Sequence, residues 1–155
     1  MELLENQEIE EKNLLSIRKN VTQQEIEQVL TEMHSYIKES GAEIVGKTIT
    51  ATHGISSNKG YTILDLEILI PLDKEILTGN IYSFKKNFKI TNAIKVTHKG
   101  NPALLDETCN ELNQYIARNK LVPITVGYNM TLTADNKDKN NTEIEIYVGI
   151  SPNIL

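Results

Sequence analysis

The chain has 155 residues and a formal net charge of −5. This length suits one domain or two small halves that share a core, and the acidic balance excludes a general attraction to nucleic acid or anionic membranes. The sequence contains no run of about 18 apolar residues, and its acidic start is unlike a secretory signal peptide, so a cytoplasmic protein without membrane insertion is expected. The single cysteine excludes an internal disulfide.

The N-terminal arm, Met1–Lys12, carries five glutamates before its first lysine. Such a segment is expected to fray or to form a short helix. A solvated tail and an arm that binds a partner are both compatible with its charge.

A first repeat, residues 13–72, follows the arm. Its helix is predicted to begin with a capping box from Thr22 to Glu25 and to end at Gly41. Branched and aromatic residues in alternation predict strands on either side of the helix. The predicted elements are strand Asn13–Val21, helix Thr22–Gly41, strand Val45–Ile55, hairpin loop Ser56–Gly60 and strand Tyr61–Leu72.

A connector, residues 73–91, joins the halves and contains both phenylalanines of the chain. Scarce aromatic residues in a connector either pack back onto the domain or contact another molecule. The candidate partner-contact residues are Tyr82, Phe84, Lys85, Lys86 and Phe88.

A second repeat, residues 92–151, has the same order of elements. Asn101 is the expected N-cap of its helix and Pro102 the first helical residue. The polar loop Asp135–Asn141 lacks the glycine and the distal glutamate of a calcium loop, so it is expected to be a solvated hairpin. The other predicted elements are strand Asn92–Lys99, helix Asn101–Leu121, strand Leu121–Thr133 and strand Thr142–Ile150.

The two helices carry matching apolar stripes at spacings of three and four residues. Adding 79 to each position of the first stripe gives the second stripe, and Tyr36-Ile37 falls on Tyr115-Ile116. The stripes are Ile26, Val29, Leu30, Met33, Tyr36 and Ile37, and then Leu105, Thr108, Cys109, Leu112, Tyr115 and Ile116. This duplication of a strand–helix–strand–strand unit predicts an α+β fold with an antiparallel sheet and both helices on one face.

Catalytic motifs are missing from the sequence, which contains no G-x-S-x-G, P-loop or G-x-G-x-x-G pattern. The three histidines are far apart, and the one cysteine, Cys109, lies on the apolar stripe of its helix. We therefore expect no catalytic centre, no metal site and no cofactor. Glu67 and Glu145 occupy matching places on the last strand of each repeat, where they either line a ligand cleft between the repeats or face solvent.

The motifs HKG before the second helix, LNQYIARN at its end and EIEIYVGI in the last strand resemble the gyrase-inhibitor-like effector-binding superfamily. The resemblance spans about Leu14 to Ile150 and implies a domain that binds small, often cationic molecules. Ligand-binding members place an acidic residue beside a tyrosine in the strand after the second helix. Here Tyr128 is followed by Asn129, so that carboxylate is missing. The candidate cleft residues are Glu67, Tyr128 and Glu145.

The phrases FKITNAIKVTHKGNP, LVPITVGYN and IYVGISPNIL are similar to a narrower family found beside type VII secretion genes of Gram-positive bacteria. This resemblance implies a non-enzymatic cytoplasmic chaperone or adaptor. Such a protein would bind a secreted nuclease toxin and engage the membrane secretion ATPase, which would recruit it to the membrane. The alternative is a small-molecule effector-binding domain with a cationic or amphipathic ligand in the cleft, or a small hydrolase built on that cleft.

Overall fold

The computed structural model describes residues 2–133 and 141–153. Within these residues, two α-helices and six strands follow one another, in an order that repeats once. In chain order they are β1 Glu2–Val21, α1 Ile26–Glu39, β2 Ile49–Asn58, β3 Tyr61–Pro71, β4 Ser83–Lys99, α2 Leu105–Arg118, β5 Tyr128–Thr133 and β6 Glu143–Gly149. The antiparallel α+β fold with a duplicated strand–helix–strand–strand unit is confirmed.

The chain divides into two compact units. The N-terminal unit is Glu10–Phe88, and the C-terminal unit is Lys89–Leu155 together with Met1–Ile9. Each unit contains one helix, and the two strands that follow each helix lie within the same unit.

In the N-terminal unit, β3 pairs with β1 on one side and with β2 on the other, both antiparallel. The β2–β3 hairpin turns at Lys59 and Gly60, which have φ values of 50° and 82°. Two consecutive positive φ values give a turn whose twist matches that of the flanking strands. A bulge between Thr52 and Gly54 interrupts the register of β2.

In the C-terminal unit, β6 pairs with β4 and with β5 in the same antiparallel manner. A bulge between Thr131 and Thr133 corresponds to the bulge in β2. Residues 135–140 of the predicted polar loop lie outside the described residues.

Both helices pack their predicted stripes against their own strands. Val29, Met33 and Ile37 of α1 are buried, and Thr108, Leu112 and Ile116 of α2 are buried at the matching positions. The other six stripe residues pack at the margins of the two cores. Adding 79 to the bounds of α1 gives the bounds of α2, so the duplication inferred from the stripes is confirmed.

The predicted helix ends are also confirmed. The Thr22 backbone N–H donates to the Glu25 carboxylate at 2.8 Å, as a capping box requires. The Asn101 side chain accepts a hydrogen bond from the Ala103 N–H at 3.0 Å, and Pro102 begins the helical turn. Gly41 follows α1 with a φ of 75°.

The arm 1–12 neither frays nor forms a helix, because residues 2–12 are the first half of β1. Asn6 and Asn13 have φ values of 54° and 58°, a region that asparagine tolerates. Each such residue disturbs the alternation of faces, so the apolar period of two that marks a strand is lost. Ile9 is nevertheless 6% exposed and therefore belongs to the core.

The second half of the connector, 83–91, is likewise a strand, because β4 begins at Ser83. Its match to the arm follows the same spacing of 79 residues. Buried Ile9 corresponds to buried Phe88, and Asn13 corresponds to Asn92, which has a φ of 52°. The arm and the connector are therefore equivalent parts of the two repeats.

Two predicted strands begin later than expected. The first of these strands is preceded by a single bridge, Ile44 with Leu72, and residues 45–48 are not in a strand; in the segment 121–127 only Pro123 forms a bridge, with Ile150. Regular pairing starts at Ile49 and Tyr128.

Replacing Leu112 with alanine is expected to lower the free energy of unfolding by about 2–5 kcal/mol, because its side chain is 2% exposed in the α2 core. Asn113 is exposed on the same helix, and its replacement with alanine should cost about 0.5 kcal/mol or less. Urea unfolding of both variants measures the difference. Equal losses would contradict the assigned helical phase.

Candidate ligand-binding site

The two faces of each three-stranded sheet differ in character, because successive strand residues point to opposite sides. In β3, Leu66, Ile68 and Ile70 face α1, whereas Glu67 points to the other side. In β6, Ile144, Ile146 and Val148 face α2, whereas Glu145 and Tyr147 point away from it. The sequence therefore places Glu67 and Glu145 on the helix-free faces of their respective units.

Glu67 is held by two basic side chains of the N-terminal unit. His53 Nε2 lies 2.9 Å from Glu67 Oε1, and Lys85 Nζ lies 3.2 Å from Oε2. Glu67 is 7% exposed, so the expectation that it faces solvent is wrong. Burial alone would raise the pKa of Glu67, but the hydrogen bonds and charges of His53 and Lys85 outweigh it and lower that pKa below its ordinary value.

A second ion pair lies on the same face, at the residue two positions before Glu67 on β3. The Arg18 guanidinium donates to both oxygens of Asp65, at 3.0 and 2.9 Å. This hydrogen bonding lowers the pKa of Asp65. The face thus carries charges of both signs close together.

In the C-terminal unit we define the Glu145 cluster as Lys95, Tyr128, Met130, Glu145 and Tyr147. Lys95 Nζ lies 2.9 Å from Glu145 Oε2, and the Tyr147 hydroxyl donates to Glu145 Oε1 at 3.2 Å. Met130 is the β5 residue opposite Glu145, and Tyr128 is the β5 residue opposite Tyr147. Residues directly opposite in an antiparallel pair share a face, so the five side chains belong to one surface.

The missing carboxylate beside Tyr128 is supplied by the neighbouring strand. Asn129 does follow Tyr128, but Glu145 of β6 lies one residue pair away from Tyr128 on the same face. Glu145 therefore supplies an anion on this face of the C-terminal unit, contrary to the expectation from the sequence around Tyr128. The register of β5 on β6 could reveal this, whereas the sequence around Tyr128 alone could not.

Tyr147 should ionise well above the usual range of a tyrosine, because burial and the Glu145 charge raise its pKa from 10.0 to about 12. The folded state holds this proton more tightly than the unfolded state, so the stabilisation is complete below pH 10.0 and is lost as the pH rises towards about 12. Absorbance titration of the phenolates should lose a component near pH 12 in Tyr147→Phe. Unfolding measurements in the same pH range should also become less pH-dependent. An unchanged titration would contradict the assignment.

The predicted partner-contact residues separate into two groups. Phe88 is 9% exposed, and the Tyr82 ring packs 4.7 Å from the Tyr36 ring, so both pack onto the N-terminal unit. Phe88 is therefore wrong as an exposed anchor, because β4 turns its ring into the core. Phe84 and Lys85 are half-buried and Lys86 is exposed, 3.9 Å from Glu75.

The surroundings of His98 and Cys109 indicate structural roles for both residues. His98 is buried, with Nδ1 2.7 Å from the Thr108 hydroxyl and Nε2 2.9 Å from the Asn101 carbonyl, and it ties β4 to α2. Cys109 is half-buried, and burial raises the pKa of its thiol, which disfavours a reactive thiolate. Within residues 2–133 and 141–153, three or more His, Cys, Asp or Glu side chains nowhere converge as they would around a metal ion.

Two surface depressions lie in the C-terminal unit. One, of about 250 Å³, is lined by residues that include Asn6, Asn92 and Ile150. The other, of about 430 Å³, lies beside His98 and Glu107. Neither is lined by Glu67, Tyr128 or Glu145. The predicted cleft between the repeats stays a prediction.

No helix in the described part of the chain is long and apolar enough to cross a membrane. Neither a protein-family model nor a curated protein matches the sequence.

Several solved structures are similar to the chain. The EcmrR C-terminal domain is 16% identical, with a TM-score of 0.75 and coverage of 97% of both chains. EcmrR in its complex with DNA is 18% identical, with a TM-score of 0.78, but the chain spans only 57% of that protein while 97% of the chain is covered.

Two further structures are more distant. SAV2435 bound to tetraphenylphosphonium is 12% identical, with a TM-score of 0.53 and coverage of 97% of this chain and 93% of that one. A hydrolase from Listeria innocua is 14% identical, with a TM-score of 0.59 and coverage of 97% and 91%. At these identities the comparisons show the fold alone, and the chain shares its duplicated α+β fold with the EcmrR C-terminal domain.

Proposed function

We propose that the chain is a small-molecule effector-binding domain that takes organic cations or amphipathic ligands at the Glu145 cluster. The observation that carries the proposal is a carboxylate with a side chain only 13% exposed, next to two tyrosines and a methionine. A carboxylate withdrawn from water attracts a cation more strongly than an exposed one, and aromatic faces add to that attraction. Methionine adapts to ligands of different shapes.

The comparisons support this proposal without testing it. SAV2435 has the same fold and holds tetraphenylphosphonium, a lipophilic cation. The matching carboxylate Glu67 suggests that both repeats descend from a unit with an acidic residue at this place.

Titration of the purified protein with tetraphenylphosphonium by calorimetry tests the proposal. We expect saturable binding to the wild type and at least about tenfold weaker binding to Glu145→Gln, since that change removes the charge but keeps the shape. Glu111→Gln is the control, because Glu111 is exposed on α2 and belongs to the opposite side of the sheet. Equal affinities for wild type and Glu145→Gln would contradict the assigned site.

The proposal includes no catalysis. A hydrolase would use a hydrogen-bonded histidine, and His53 with Glu67 is the pair that could serve. We expect His53→Gln and the Glu67→Gln, Glu145→Gln double variant to hydrolyse a nitrophenyl ester at the wild-type rate. A rate above buffer that is lost in His53→Gln would favour the hydrolase reading.

A chaperone or adaptor for a secreted nuclease toxin is the second candidate, with the type VII secretion ATPase as a further partner and the cytoplasm as its location. It rests on the sequence resemblance and on two exposed apolar residues at equivalent positions. Val45 and Ile124 are each 61% exposed, and a partner that covered these apolar side chains would remove them from water.

Co-expression with a tagged toxin tests this candidate by pull-down. If Val45 and Ile124 contact the toxin, the serine variant at both positions should lose the complex while its melting temperature stays near that of the wild type. Lys86→Ala should instead change mainly the salt dependence of association. A toxin that is not retained by the wild type would contradict the chaperone reading.

A further inference from the structure

Both oxygens of the Glu145 carboxylate already have partners from the protein itself. Lys95 Nζ lies 2.9 Å from Oε2, and the Tyr147 hydroxyl donates a hydrogen bond to Oε1 at 3.2 Å. The side chains of Lys95 and Glu145 are 20% and 13% exposed, so this pair is screened by water less than an ordinary surface pair. A ligand cation that approaches Glu145 therefore meets a carboxylate that is already neutralised.

The N-terminal unit repeats this neutralisation from a different position. Lys85 lies 3.2 Å from Glu67, which matches Glu145 in the repeat. With the spacing of 79 residues, Lys95 corresponds to Ser16, and Lys85 corresponds to Asn6. The two lysines are thus not copies of one ancestral residue. Each carboxylate has gained its own lysine, which points to a role for the cation.

A lysine held on the neighbouring strand competes for the carboxylate intramolecularly. Its effective concentration is set by the geometry of β4 and β6 and is of millimolar order or higher for a tethered group. A free cation must displace it or must bind without the full charge of Glu145. Either route lowers the affinity of the ligand relative to a site with a bare carboxylate.

We infer that Lys95 is a built-in competitor of cationic ligands. Its ammonium pairs with the Glu145 carboxylate in the ligand-free chain, so a cation can occupy the site only if further contacts compensate for the loss of this pair. This inference rests on the proposed function and adds the residue that regulates it. This competition would keep small metabolic amines out of the site, and it would admit organic cations that also gain apolar contact with Tyr128 and Met130.

The test measures the dissociation constant of tetraphenylphosphonium for the wild type and for Lys95→Met, which removes the ammonium and keeps the aliphatic stem. We expect at least a tenfold lower dissociation constant for Lys95→Met. Lys95→Arg, which keeps the cation, should show no such gain. Lys99→Met is the matched control, because Lys99 lies on the same strand but is exposed, and it should bind like the wild type.

The double variant Lys95→Met, Glu145→Gln decides whether the gain depends on the carboxylate charge. It should lose the tenfold gain. Lys95→Gln is the second neutral variant if Lys95→Met folds poorly, and thermal unfolding of each variant shows which one to use.

The outcomes separate the inference from the proposed function. If Glu145→Gln loses binding but neither Lys95→Met nor Lys95→Gln gains it, the inference is overturned and the proposed function stands. If the wild type and both neutral variants all fail to bind, both are overturned. A gain that survives in the double variant also overturns the inference, because the gain would then come from added apolar surface.

Discussion

Removal of residues 1–12 is expected to unfold the C-terminal unit, at a cost above about 5 kcal/mol, which is comparable to the whole stability of a small domain. The deleted segment contains buried Ile9, and Leu3 packs against the core that α2 forms with its strands. It also supplies the Glu5 carboxylate that accepts a hydrogen bond from Tyr115 at 2.8 Å. Circular dichroism and thermal unfolding of the truncated chain measure the loss.

The control for this prediction keeps the strand and removes charge. Glu2→Gln with Glu8→Gln changes two exposed residues, one of which pairs with Lys89 at 3.6 Å. Exposed pairs contribute about 0–1 kcal/mol, so this variant should unfold near the wild-type temperature. A truncated protein that unfolds with the wild-type transition would show that the segment is a dispensable arm after all.

Phe88→Ala is expected to lower the free energy of unfolding by about 3–5 kcal/mol, the usual cost of removing a buried phenylalanine ring. The ring is 9% exposed, so its removal leaves a cavity among the side chains that cover it. Phe84→Ala should cost about 1–2 kcal/mol, since its ring is only half-buried and loses less apolar contact. Urea unfolding of both single variants, with the slope m checked for constancy, measures the two effects.

This pair of variants bears on the connector as a contact surface. If Phe88→Ala were as stable as the wild type, its ring would be available to a partner and the burial assigned to β4 would be wrong. Any loss of toxin binding in Phe88→Ala must therefore be compared with the loss of stability of the same variant. Lys86 is exposed and can be tested without this complication, and Phe84→Ala should cost less stability than Phe88→Ala.

Sequence alone determined the helices and the duplication. The stripes, the capping box from Thr22 to Glu25 and the Asn101 cap all depend on residues within one or two turns, so their signal is local and survives without knowledge of the rest of the chain. The spacing of 79 residues between the helices was visible for the same reason. Glu67 and Glu145 could be picked out as equivalent because both lie in the most regular strand of each repeat.

Only the tertiary structure decided that residues 2–12 and 83–91 are strands. A polar segment with a positive-φ asparagine shows no clear alternation, and it becomes a strand because distant backbone groups pair with it. The partners of the two carboxylates were hidden for a related reason. Lys85 and Lys95 contact Glu67 and Glu145 across strands that are many residues apart in sequence. Their meeting depends on strand register, which hairpin turns and bulges set and which no local pattern encodes.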